Sequence, residues 1–218
     1  MIRREFLALG ATATLALGAY VLLPRQMTAP LSDAILPPAH AEGDIEIPEM
    51  VLGDADAPVT IVEYASFTCP HCATFHANTF KKLRSDYIDT GKVKFIFREV
   101  YFDRFGLWAG MIARCGGEQR YFGMTDLIFS KQSEWAKGQP GDIVAALKKI
   151  GLSAGLGAEQ LDACLQDAEM AQALVAWYEK NAEADNVRAT PSFIIDGEPY
   201  SNMGYEDFAK VLAEKLGE

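Results

Sequence analysis

The chain has 218 residues, half of them hydrophobic, with 20 basic and 30 acidic side chains and a net charge of −10. Residues 1–41 hold three basic and two acidic side chains, so the remainder carries 17 basic against 28 acidic, a net −11. So acidic a body argues against nucleic acid as a partner, and its length is enough for one domain with its own core.

Arg3 and Arg4 precede an uncharged apolar run over residues 6–23. A basic start followed by such a run is the pattern of an export signal. The run is long for a signal and just long enough for a short membrane span. Residues 1–41 therefore read as an export signal or an N-terminal membrane anchor. "AHA" at 39–41 offers a cleavage site, and "RREFL" at 3–7 resembles a twin-arginine signal. Either way the body is expected outside the cytoplasm. Five prolines between residues 24 and 48 and few large apolar residues read as a tether without a core, with 42–48 as the linker proper.

"APVTIVEYASF" at 57–67 is a nearly continuous β-rich apolar run, the pattern of a strand buried on both faces. After Pro70 the period becomes helical. Cys72, Phe75, Thr79, Leu83 and Tyr87 share a stripe with Phe80 beside it, and Gly91 is a helix stop. "KVKFIFREV" at 92–100 is a second strand, which completes a parallel β-α-β unit. Residues 103–186 read as a block of short helices broken by glycines. Its stripes are Trp108, Met111, Ile112 and Cys115; Leu161, Cys164 and Leu165; and Met170, Leu174, Tyr178 and Ala182. "PSFIIDGEPYS" at 191–201 is a hairpin, because Asp196-Gly197 suits a turn with positive φ at both central residues. A last amphipathic helix carries Phe208, Val211, Leu212 and Leu216 on one face. The order is β-α-β, helical block, β-β-α, in an α/β chain without internal repeats.

The four cysteines are Cys69, Cys72, Cys115 and Cys164. An even count in an exported chain favours disulfides, and the spacing suggests Cys69 with Cys72 and Cys115 with Cys164. Cys69 falls where a buried strand gives way to a helix. Free N–H groups there favour a thiolate. Pro70 suits the first helical turn. A protonated or N–H-donating imidazole of His71 would favour the thiolate further. Such a thiolate is a good leaving group, so a disulfide here would be a strong oxidant. Cys72, one turn on, could attack a mixed disulfide at Cys69.

Other readings of the pair are a static disulfide or a metal site of Cys69, Cys72 and His76. The metal site lacks a fourth ligand, and no metal is expected. A c-type haem needs His after the second cysteine, where Ala73 stands. No nucleophile elbow and no phosphate loop is present. Glu63 shares a strand face with Val59, Ile61 and Ala65. An acid in such a strand is expected to have a raised pKa, unless it reaches water at a strand edge.

"EYASFTCPHC", a helix, a strand, a helical insertion and "ATPSFIIDG" together resemble the DsbA-like thiol–disulfide oxidoreductases of the bacterial envelope. The resemblance covers roughly residues 45–218. It implies a thioredoxin fold over 49–102 and 187–218, with a helical insertion at 103–186 between the β-α-β and β-β-α halves. It implies that Thr190-Pro191 is a cis-proline loop facing the cysteines, where Thr190 pairs its backbone with substrate. It implies that Glu63 is a buried acid assisting proton transfer at Cys72. Some relatives carry an extra cysteine pair in the insertion, and a structural Cys115–Cys164 disulfide is expected here, with two unpaired buried thiols as the alternative. Phe67, Phe75, Phe102, Phe105 and Trp108 are expected to be mostly core.

The resemblance further implies an oxidase that passes the Cys69–Cys72 disulfide to reduced exported proteins and needs no bound cofactor. A DsbB-like membrane quinone reductase, or a fused homologue of one, would reoxidise it. Alternatives are an envelope reductase or isomerase, and a holdase for unfolded chains. A holdase would keep working with Cys69→Ser.

Overall fold

A computed structural model describes residues 45–218. The signal or anchor segment, its cleavage site and most of the tether lie outside the described residues.

In chain order the elements are β1 (Met50–Leu52), β2 (Val59–Ala65), α1 (Pro70–Ala77), α2 (Thr79–Leu83) with a π-helical turn over Arg84–Ile88, and β3 (Val93–Glu99). Six helices follow: α3 (Arg104–Arg114), α4 (Glu118–Ser130), α5 (Gln132–Trp135), α6 (Pro140–Ser153), α7 (Ala158–Gln166) and α8 (Ala168–Ala184). β4 (Ser192–Ile195), β5 (Glu198–Ser201) and α9 (Tyr205–Leu216) close the chain. The sheet order is β1-β3-β2-β4-β5. β2 and β3 are parallel, with Glu63 opposite Phe97, and β4 runs antiparallel to β2, with Phe193 opposite Glu63.

β2 is central and buried on both faces, so both of its side-chain rows are apolar apart from Thr60 and Glu63. Phe75 of α1 packs on Phe193 of β4 at 4.8 Å between ring centroids, and Phe193 packs edge-on against Phe208 of α9 at 4.9 Å. Phe67 lies 5.0 Å from Phe129 of α4, which ties the strand end before the cysteines to the helical block. Phe67 and Phe75 are core, Phe105 and Trp108 are partly buried, and Phe102 is 59% exposed. The hairpin turn has φ of 47° at Asp196 and 83° at Gly197, the geometry its sequence asks for.

Local chemistry sets the helix starts. Asp103 caps α3 by accepting from the N–H groups of Phe105 and Gly106, and Asp167 caps α8 by accepting from Met170. A reciprocal pair between Gln139 and Asp142 opens α6. Not every glycine of the helical block breaks a helix, since Gly141 and Gly151 lie inside α6. Gly151 is needed for contact between helices, because a Cβ there would stand 2.4 Å from Cδ2 of Leu161 in α7.

Three expectations are corrected. The single helix expected up to Gly91 breaks at Asn78, whose φ and ψ are −121° and −73°. Its side-chain N–H donates to Thr74 O, so it competes with the backbone ladder. β1, absent from the sequence reading, pairs antiparallel with β3. And the tether holds a core residue. Ile47 is buried beside Met111 and Leu174, while Arg114 donates to Pro48 O.

Ion pairs join the sheet to the helical block. Arg114 of α3 forks onto Glu99 at the end of β3 with two contacts of 2.7 Å, and Tyr121 of α4 donates to the same carboxylate. Arg98 of β3 meets Glu49, Asp185 and the hydroxyl of Tyr64.

Candidate active site

Cys69 is the N-cap residue of α1, with extended backbone and Pro70 in the first turn. The apolar register of β2 delivers the chain to this point, and proline starts the helix where its missing N–H costs nothing. Cys69 and Cys72 are free thiols, both buried. This is the reduced form of the pair expected from the spacing.

The two sulfurs are strongly unequal. The pKa of Cys69 is lowered to about 5. The first cause is a hydrogen bond from the Cys72 thiol, which outweighs the opposing effect of burial. Thr190 and the backbone N–H groups of Cys72 and His71 add to it. Cys72 is pushed far up, first by burial, then by donating its proton to Cys69, then by the charge of Glu63. The free N–H groups of the first turn therefore act as the sequence suggested. His71 requires a correction. Its imidazole is exposed, and its support for the thiolate comes from its backbone N–H.

Thr190-Pro191 is a cis peptide, Pro191 is buried, and Cys69 Sγ lies 3.5 Å from Thr190 O. The loop before β4 thus faces Cys69. Glu63 is fully buried, and its pKa is raised by burial, partly offset by His76 and reinforced by the negative charge of Cys69. Its Oε2 is 2.9 Å from His76 Nε2.

Sequence reasoning missed three parts of the site. His76, weighed only as a metal ligand, is instead the partner of Glu63. Its signal was available, since it follows Cys72 by one helical turn and so shares its face. Among the described residues no group of three or more His, Cys, Asp or Glu side chains could hold a metal ion. Gln132 of α5 donates to the carbonyls of Phe67 and Cys69 at 2.8 and 2.9 Å. Asp103, the cap of α3, also accepts from Thr68 at 2.9 Å. The last two are contacts between distant segments, which no local pattern encodes.

Cys115 and Cys164 are joined by a disulfide linking the end of α3 to α7, with Cα atoms 5.9 Å apart. It lies within the insertion and has no part in the cluster around Cys69.

A dithiol at a helix start opposite a cis-proline loop, on a sheet of this order, defines a class, and comparison with known proteins agrees. The thioredoxin family profile matches residues 46–214. Disulfide bond formation protein D of Bacillus subtilis is 29% identical over 180 residues, covering 76% of this chain and 75% of that one. A Rickettsia bellii protein, provisionally named a protein-disulfide oxidoreductase, is 32% identical over 171 residues and 78% of this chain. The chain spans 61% to 65% of the length of the Rickettsia relatives it matches. Among solved structures, alpha-DsbA1 of Wolbachia pipientis superposes with a TM-score of 0.70 at 29% identity, covering 79% of this chain and 93% of that one. BdbD of B. subtilis gives 0.69 at 26% identity, over 78% and 94%. The chain belongs to the DsbA-like family of thioredoxin-fold proteins.

Proposed function

We propose that this chain is a thiol:disulfide oxidoreductase that introduces disulfides into exported proteins. The observation that carries the reading is the inequality of the two sulfurs. A Cys69 thiolate stabilised at the start of α1 favours the reduced pair, so the oxidised pair gives up its disulfide readily.

The exchange then runs as follows. A substrate thiolate attacks Sγ of Cys69, the Cys69–Cys72 bond breaks, and its electron pair goes to Cys72, which takes up a proton. A mixed disulfide between substrate and Cys69 results. The second substrate thiolate attacks the substrate sulfur of that bond, and Cys69 leaves as the thiolate. Substrate has lost two electrons, and the pair has gained them. Thr190 and Pro191 flank the attacked sulfur and line the approach of substrate. Glu63 serves Cys72, whose buried sulfur cannot carry charge cheaply.

The name of the Bacillus subtilis relative, a disulfide bond formation protein, supports the direction towards disulfide formation. Reoxidation falls to a DsbB-like membrane quinone reductase, and the site of action is the periplasm or the outer face of the cytoplasmic membrane. No helix among the described residues is long and apolar enough to cross a membrane.

The test is the reduction potential of Cys69–Cys72 equilibrated against glutathione. A value of about −120 mV, the DsbA range, is expected; about −270 mV, the thioredoxin range, would overturn donation and make the chain a reductase.

A further inference from the structure

His76 has no part in the exchange step itself, yet its placement is unusual. Its side chain is 3% exposed. The ring stacks on Phe129 at 4.2 Å and lies against Phe80 at 4.6 Å between centroids. One nitrogen meets Glu63 at 2.9 Å, and the other, Nδ1, has no hydrogen-bond partner. On the far side of the pair, Oε1 of Glu63 is also buried without a partner. Unpaired polar atoms this deep cost free energy and are rare without a use. The same imidazole lines a pocket of about 310 Å³ between α1 and α4, with Lys81, Asp126 and Ser130 around it. A carboxyl whose charge is felt at Cys72 is thus joined, through one ring, to a pocket away from the nucleophile.

We propose that His76 positions Glu63 and carries its proton between the buried carboxyl and the pocket between α1 and α4. This rests on the exchange reading above. When the Cys69–Cys72 bond breaks, the electron pair on Cys72 takes the proton of Glu63. The carboxylate takes the Nε2 proton of His76, whose Nδ1 takes one from water in the pocket. On reoxidation the same relay runs backwards: Nδ1 gives its proton to water, Nε2 takes that of Glu63, and the carboxylate takes that of the Cys72 thiol. Imidazole suits the task because it can take a proton at one nitrogen while it gives one up at the other. The titratable and charged groups around the pair are Cys69 and Cys72 on the sulfur side, and Asp126 with Lys81 and Arg84 on the pocket side. Asp126 is raised by its own partial burial, which the charges of His76, Arg84 and Lys81 oppose.

Two variants test the path. His76→Gln keeps a hydrogen-bonding group beside Glu63 but cannot pass a proton on, and His76→Ala opens the ring's space to the pocket. The readout is the rate at which the reduced pair is oxidised by glutathione disulfide across pH, with alkylation of Cys69 followed in parallel. His76→Gln should slow oxidation by roughly 10-fold or more at neutral pH and flatten its pH dependence. The Cys69 alkylation midpoint should stay at about 5. Free imidazole should restore the rate of His76→Ala and leave Glu63→Gln unchanged. A wild-type pH profile in His76→Gln overturns the path, as does a folded His76→Ala that imidazole does not accelerate. If His76→Ala fails to fold, the profile of His76→Gln decides alone. Failure of the wild-type protein to oxidise a reduced peptide would instead sink the exchange reading.

Discussion

The two cysteine pairs of this chain meet helices at opposite ends. Cys69 is the N-cap of α1, where N–H groups converge on its sulfur. Cys115 is the C-cap of α3, where carbonyls collect, and its Sγ lies 3.6 Å from Gln160 O. Partial positive charge at a helix start favours a thiolate, and partial negative charge at a helix end opposes one. A sulfur that is a good thiolate leaves a disulfide easily, and one that is not holds on. The first pair stands as thiols and the second as a disulfide. Place along a helix thus separates the two pairs, one sulfur beside free N–H groups and the other beside carbonyls.

The sharpest way to break this contrast is at the nucleophile. Cys69→Ser should abolish oxidation of a reduced peptide completely. The double change Cys115→Ser, Cys164→Ser should leave it running, as read by peptide thiol titration. If Cys69→Ser still protects unfolded clients from aggregation as well as the wild type does, the protein is a binder and not an exchanger.

The second pair should instead appear in stability. Its loop spans 49 residues, for which chain entropy sets about 4 kcal/mol as a ceiling on the loss. Urea unfolding of the double variant should show a lower midpoint, with the exchange site intact.

The pH response should separate the pairs again. The folded value of Cys69, about 5, lies below its ordinary 9.0. A depressed value stabilises the reduced fold fully above the ordinary pKa, and that stabilisation is lost as pH falls through the folded one. The stability of the reduced protein relative to the oxidised should therefore rise from about pH 5 to 9, and alkylation of Cys69 should titrate at about 5. A midpoint near the ordinary value would remove the basis of the contrast. The Cys115–Cys164 bond does not titrate and should add no slope.

The smallest expected effect is at Gln132. Gln132→Ala removes two hydrogen bonds from the turn before α1, at a cost of about 1 kcal/mol each. Amide exchange at Cys69 and Ala73 should quicken, and global stability should fall by no more than about 2 kcal/mol, the contribution of two such bonds.

How far the sequence could be read follows from the range of the forces involved. β2, β3, the hairpin and α9 were legible because burial imposes a period on each. The inequality of Cys69 and Cys72 was legible because a strand-to-helix boundary fixes which sulfur meets free N–H groups. β1 was not, since three residues carry too little period to stand out, and its pairing with β3 is a contact across more than forty residues. The break at Asn78 was hidden because the apolar stripe continues across it in Phe80 and Leu83. The support of His71 was misassigned because the side chain drew attention while the backbone did the bonding. Gln132 and the Tyr64–Arg98–Asp185 cluster depend on tertiary proximity alone.

The bond from Gln132 reaches Cys69 across 63 residues of sequence. The motif Cys69-Pro70-His71-Cys72 is therefore governed from two addresses, its own four letters and a position in the helical insertion. A change at the second alters the bonding of Cys69 while every letter of the first stays unaltered. Two proteins that share the motif then need not share the hydrogen bonds that hold it.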